Sequence, residues 1–216
     1  MGKLIDPNRT RKAREARKER ARKILETAES AFVRYPYADI TLDTIGQMAG
    51  VKQGQATLAF RSREELFLNV IRRQMTDWYT ALETGLKATD DPLTREGAAD
   101  FVAASLAKRP DFTRLLGALH TAMELHDDGI EVHNFYRWQR ERLLELADAM
   151  VRRIAGADRW SCFDALYRGQ LIAAAVHPVS RPVGNLAADL MADDHQIFAL
   201  DLEDEVRRAV VDSLGG

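Results

Sequence analysis

The stretch Thr41–Leu66, TLDTIGQMAGVKQGQATLAFRSREEL, decides how the rest of the 216-residue chain is read. Thr41 stands where an N-cap is needed, Asp43 follows in the first turn, and Leu42, Ile45, Met48 and Ala49 give a short helix one apolar face. Gly50 stops that helix, Val51 can plug the gap behind it, and a second helix covers about Gln53 to Phe60. Ser62 and Glu65 have the Ser-x-x-Glu spacing of a capping box that opens a third. Two short helices joined by a tight Gly turn, with a capped helix after them, are how a helix-turn-helix reader of the DNA major groove is built.

Charge is distributed to suit such a reader. The net charge of −2 divides into +7 over residues 1–75 and −9 over the remainder. A basic head on an acidic body points to a polyanion partner for the head alone. Upstream, KLIDPNRTRKAREARKERARK (residues 3–23) starts poorly for a helix at Pro7 and Asn8 and favours one from about Lys12. It reads as a flexible basic arm, whose Arg9, Arg11, Lys12 and Arg14 can neutralise phosphates or lie in a narrow minor groove. Ile24, Leu25, Ala28, Ala31, Phe32 and Tyr35 then recur three and four apart as the core face of helix 1, which Pro36 ends.

Together with ILETAESAFVRY (Ile24–Tyr35), the spacing of Thr41, Ile45, Ala49-Gly50-Val51, Gly54, Phe60, Ser62, Arg63, Glu64 and Leu66 resembles the DNA-binding domain of TetR-family transcriptional regulators. The resemblance covers roughly residues 20–70; the rest matches in length and helicity only. It implies that Thr41, Lys52, Gln53, Gln55, Ala56, Thr57 and Arg63 join the arm residues at DNA. Gln53 and Gln55 would pair with adenine and Ala56 would touch a thymine methyl, with Arg63 as the family's basic phosphate contact. Three positions depart from the pattern. The family usually has Ser where Lys52 stands, so an N-cap worth about 1 kcal/mol is expected to be lost. It usually has Tyr at positions 57 and 59, where this chain has Thr57 and Ala59, so two backbone anchors are missing.

Beyond Arg63, Leu66, Phe67, Val70, Ile71, Met75, Trp78, Tyr79, Leu82 and Leu86 keep helical spacing along one amphipathic helix of about 22 residues. Further helices are expected from Pro92, from Pro110, after Asp127-Asp128-Gly129, from Asp158 until His177-Pro178 stops it, from Leu186 to Met191, and from Leu202 to Leu214. No run alternates at period two, which makes the protein all-α. The expected organisation is a basic arm (1–22), a three-helix DNA-binding head with the helix-turn-helix (23–68), and a helical bundle (69–216) for ligand binding and dimerisation.

No His-Glu-x-x-His, phosphate-binding loop, Gly-x-Ser-x-Gly elbow or paired-Cys zinc pattern is present, so neither an enzyme nor a cofactor is indicated. His120 and Glu124 at i,i+4 read as surface residues rather than metal ligands. Lone Cys162, between Trp160 and Phe163, reads as a small core residue. No signal peptide and no apolar run of about 20 residues is found, so a cytoplasmic protein without membrane contact is expected. In the body, Trp78, Phe101, Phe112, Leu116, His120, Met123, Tyr136, Tyr167 and Gln170 combine an apolar wall with polar fixtures, as a small-molecule pocket requires. By the resemblance, the chain is a homodimer pairing through its last two long helices (about 159–176 and 202–214). It binds a palindromic operator as a repressor and releases it for an unknown small-molecule effector. The alternative is a small-molecule binding protein on the same fold that no longer reads DNA.

Overall fold

A computed structural model describes residues 7–88, 91–183, 185–190 and 193–215. These form α1 (Pro7–Arg34), α2 (Leu42–Met48), α3 (Gln55–Ala59), α4 (Arg63–Lys87), α5 (Arg95–Ala107), α6 (Pro110–Glu124), α7 (Gly129–Val151), α8 (Arg159–Ser180), α9 (Asn185–Leu190) and α10 (Leu202–Gly215), with 3-10 turns at Tyr37–Asp39 and Asp193–Phe198. No strand occurs among the described residues; an isolated bridge pairs Leu93 with Ile154. The chain is all-α, as the absence of period-two runs predicts. It divides into two compact units, one holding the residues up to Val70 with Ala122–Asp127, the other Ile71–Thr121 with Asp128–Gly216.

The first unit is built on α1. The described part of this helix already includes Pro7, earlier than the helix-favouring composition from Lys12 suggests. Its 28 residues extend about 42 Å. Residues 11–20 are exposed throughout, so the expected flexible arm is, from Pro7 on, a solvated helical extension. Burial begins at Ile24 and continues at Ala28, Ala31 and Phe32, whereas Tyr35, counted with the core by its spacing, is half exposed beyond the last helical turn. Phe67 meets Phe32 edge-on at 5.0 Å and Tyr37 at 5.2 Å, which gathers α1, the 3-10 turn and the start of α4 around one aromatic cluster.

In the second unit, α8 and α10 pack along each other and both pack on α5, with α7 also against α8. Gly169 of α8 faces Val102, Val206 and Val210, and a Cβ there would meet them at ordinary contact distances of 3.4–3.7 Å. Trp78 is fully buried, with its ring 5.3 Å from Tyr79 and 5.7 Å from Phe112, and its indole N–H donates to Ser105 Oγ at 2.8 Å. Two boundaries differ from expectation. α5 is capped by Thr94, whose hydroxyl accepts from Gly97 N–H, because Leu93 is held in the bridge to Ile154 and cannot begin a helix. α8 continues through Pro178 to Ser180, since one missing N–H in a last turn costs far less than in a helix interior. The short helix expected at Leu186–Met191 is α9; Met191 falls outside the described residues.

His177 is buried on α8, with Nδ1 2.8 Å from Thr113 Oγ1. Burial lowers its pKa below 6.5, and the Arg114 and Arg181 cations add to this against the opposing pull of Asp111. The folded imidazole therefore resists a proton that the unfolded chain accepts. The stability contributed by the neutral ring is complete above pH 6.5 and is lost as pH falls below it. Urea midpoints should drop between about pH 7 and pH 5, and His177→Gln, which keeps a hydrogen-bonding group but cannot titrate there, should make that drop shallower. An identical slope in the variant would remove His177 as its source.

Candidate nucleic-acid interface

The helix-turn-helix forms where the sequence places it, with its caps shifted. Thr41 Oγ1 accepts from Thr44 N–H at 3.1 Å and Thr44 Oγ1 accepts from Thr41 N–H at 2.9 Å, a reciprocal box on α2. Leu42, Ile45 and Ala49 are buried, but Met48, expected beside them, is 51% exposed. Gly50 (φ 61°) ends α2 and Gly54 (φ 75°) enters α3; both sit in the left-handed region that L side chains avoid. α3 spans Gln55–Ala59, shorter than the Gln53–Phe60 expected, and its N-cap is Gly54. Lys52 therefore caps nothing; its carbonyl instead accepts the turn bond from Gln55 N–H at 3.0 Å, so the expected capping loss at Lys52 does not arise. On α4, Ser62 Oγ accepts from Glu65 N–H at 3.0 Å, while the Glu65 carboxylate reaches one residue further back than a standard box, to Arg61 N–H at 2.7 Å.

The surface of α3 sorts the expected DNA residues. Lys52, Gln53 and Thr57 are exposed and Gln55 is half-buried, all able to meet a duplex. Thr57 Oγ1 donates to Gly54 O at 2.8 Å. Ala56 is 2% exposed, and a Cβ on Gly46 would lie 3.3 Å from its methyl. It is the α2–α3 packing contact, and its expected role at a thymine methyl is withdrawn. Leu58 is 69% exposed, because α3 has too few residues to bury more than one side.

Arg63 is likewise occupied. Its guanidinium stacks over Tyr37 at 4.4 Å from the ring centroid, pairs with Glu64 at 2.8 Å and donates to the carbonyls of Tyr37, Ala38 and Ile40. Burial alone would raise the Glu64 carboxyl, but bonds from its own backbone N–H and from Arg63 outweigh it and its pKa is lowered. This cluster ties the 3-10 turn to α4 inside the head, which leaves no free donor fork for a phosphate. Thr41 is exposed but its hydroxyl serves the α2 cap.

Of the arm, Arg11 lies 3.9 Å from Glu15, Lys12 and Arg14 are exposed, and the side chain of Arg9 lies outside the described residues. Two cations not singled out as DNA contacts by sequence stand nearer the reader. Arg17 and Arg20 line a groove of about 330 Å³ with Gln55, Leu58 and Ala59. Their three-residue spacing on α1, one and two turns before the first core residue Ile24, is the signal that could have found them. Arg22 is held by Glu19 at 2.5 Å and Glu26 at 2.7 Å and belongs to the helix surface.

In the second unit, Leu116, His120, Tyr136, Tyr167 and Gln170 of the expected ligand set do converge, joined by Met75, Leu119, Gln139, Leu171 and Ala174. The remaining four do not. Phe101 lines a separate apolar void of about 10 Å³, Trp78 and Phe112 fill the core, and Met123 groups with the first unit. Behind the cleft, Gln170 Oε1 accepts from Tyr79 OH and from Gln139 Nε2, both at 3.4 Å. The cleft encloses about 20 Å³, room for one water molecule and far below the several hundred cubic ångströms of a small-molecule site. Cys162 is buried, and burial with the nearby Asp158 carboxylate pushes its thiol up to about 11, leaving it inert at neutral pH.

A helix-turn-helix with an exposed second helix, on an all-α chain, defines a DNA-binding transcriptional regulator. The chain belongs to the TetR family: residues 72–216 match the family model described as Tetracyclin repressor-like, C-terminal domain. No curated protein matches it in sequence. Solved structures similar to it include the fatty acid degradation regulator FadR from Bacillus halodurans (16% identity, TM-score 0.50, 91% of this chain and 95% of that one). A Clostridium perfringens protein described as a fatty acid metabolism regulator is comparable (16%, 0.51, 90% and 97%), as is a TetR-family regulator from Mesorhizobium loti (16%, 0.50, 92% and 96%). At such identities these likenesses concern the fold. Among the described residues no helix is long and apolar enough to cross a membrane.

Proposed function

We propose that the chain is a homodimeric repressor that holds a pseudo-palindromic operator and releases it when a small molecule binds the body. The observation that carries this reading is the exposed face of α3, flanked on α1 by Arg17 and Arg20, neither of which has a carboxylate partner among the described residues. Each protomer would present Gln53, Gln55 and Thr57 to a major groove, with half-sites about 34–36 Å or a multiple of it apart. Residues 1–22 would act as the basic arm, 23–68 as the reading head and 69–216 as the effector and dimer domain.

Pairing of the protomers is assigned to α8 and α10. Trp160, 59% exposed, and Leu171 provide apolar surface on α8 that a second copy would cover. The effector is assigned to the cleft at His120, Tyr136, Gln139, Tyr167 and Gln170. With room for one water, that cleft must widen to admit a ligand, so the effector favours an opened conformation only by its differential affinity for it. The second reading, a ligand-binding protein that no longer reads DNA, draws on Thr57 and Ala59 at the two usual tyrosine positions.

Selection of bound duplexes from a random DNA pool separates the two. A repressor enriches an inverted repeat, with affinity that falls steeply with salt; uniform micromolar binding to every sequence would favour the second reading. Truncation before Glu15, which removes Arg9, Arg11, Lys12 and Arg14, is expected to weaken binding and to flatten the salt slope by about 0.9 for each of those cations that sits on a phosphate, counted over both protomers. An unchanged slope would make the arm a solvated bystander.

A further inference from the structure

We infer, on the DNA-binding reading above, that Leu58 is the apolar reader of the recognition helix and that it reads a thymine methyl group in the major groove. Leu58 is 69% exposed, more than any other large apolar side chain of the first unit among the described residues. Such a side chain gains free energy when another apolar group covers it. Among the described residues of the first unit nothing covers it: α3 buries Ala56 against the α2 side, and Leu58 lines the groove that Gln55 and Ala59 share with α1.

The charge around Leu58 selects its occupant. Arg17 and Arg20 form the opposite wall of the groove, and neither is matched by an acid among the described residues, whereas neighbouring Arg22 is paired twice. A polyanion meets that wall favourably, while an apolar protein surface would strand two cations. Among base edges in the major groove, the one apolar group is the C5-methyl of thymine. Gln55 opens onto the same groove three residues earlier, where its amide can take the two adenine edge atoms that face the same major groove. The two side chains together favour an A·T-rich step in each half-site, with phosphates at Arg17 and Arg20.

Deoxyuridine lacks only that methyl and gives a direct test. In a duplex selected by the wild-type chain, each thymine is replaced singly by deoxyuridine and binding is measured for wild type and for Leu58→Ala, with helicity checked by circular dichroism. One thymine per half-site should show about a fourfold loss with wild type, the worth of one buried methyl, and no loss with Leu58→Ala. Discrimination that survives in Leu58→Ala, or no methyl-sensitive thymine at all, overturns the assignment while leaving the DNA-binding reading intact. Failure of the pool to enrich any sequence overturns both.

Discussion

Replacing Arg17 and Arg20 together by alanine will weaken binding to a selected operator by up to a thousandfold at about 0.15 M salt. Each cation that neutralises a phosphate contributes about 0.9 to the slope of log affinity against log salt, and a dimer carries four such cations on the two α1 helices. The slope should therefore flatten by three to four, and the defect should grow as salt is lowered and shrink as it is raised, because the steeper dependence belongs to the wild type. The double variant is expected to fold normally. Both side chains are exposed, both residues lie before the first buried position, Ile24, and alanine is the best helix former. A salt slope equal to that of wild type would show that α1 does not follow the phosphate backbone and that the groove beside α3 faces something else.

The second large effect falls on stability. Trp78→Ala should cost about 3–5 kcal/mol, read as a lower urea midpoint at unchanged denaturant sensitivity. The indole fills space between Tyr79 and Phe112, and its N–H is the partner of Ser105 Oγ, which itself donates to Val102 O at 2.6 Å. Alanine leaves a void that neither ring can close and takes the donor from Ser105. Trp78→Phe keeps most of the volume and loses the hydrogen bond, so it should cost only about 1–2 kcal/mol. Equal losses for the two variants would assign the effect to the hydrogen bond rather than the cavity.

Periodicity located the helices well where they are long, because four or more turns repeat the same apolar face and average out exceptions. It failed on α3, where five residues provide too little repetition: Ala56, expected at a base edge, is buried, while the larger apolar Leu58 is exposed. Caps were legible by residue type but not by position, since Gly54 rather than Lys52 begins α3 and Thr94 rather than Pro92 precedes α5. Arg63 shows a different limit. Its place in the motif suggested a phosphate contact, but its stack on Tyr37 and its bonds to the three carbonyls depend on a 3-10 turn more than twenty residues away, which no local pattern announces. The ligand set illustrates the same point in the body. Five residues from three helices converge on the cleft, while Trp78, Phe101, Phe112 and Met123, of equal promise by type, were claimed by packing elsewhere.

A cleft with room for one water also sets the dose at which the protein would respond. Opening costs free energy before any ligand contact is made, and every 1.4 kcal/mol of that cost raises the half-response concentration about tenfold. Background metabolites that fit poorly would leave the operator occupied, and only a molecule whose contacts repay the opening would register. A substitution that props the cleft ajar, such as Leu116→Ala, would accordingly behave as a hair trigger, shifting the response to lower ligand and leaving its maximum unchanged.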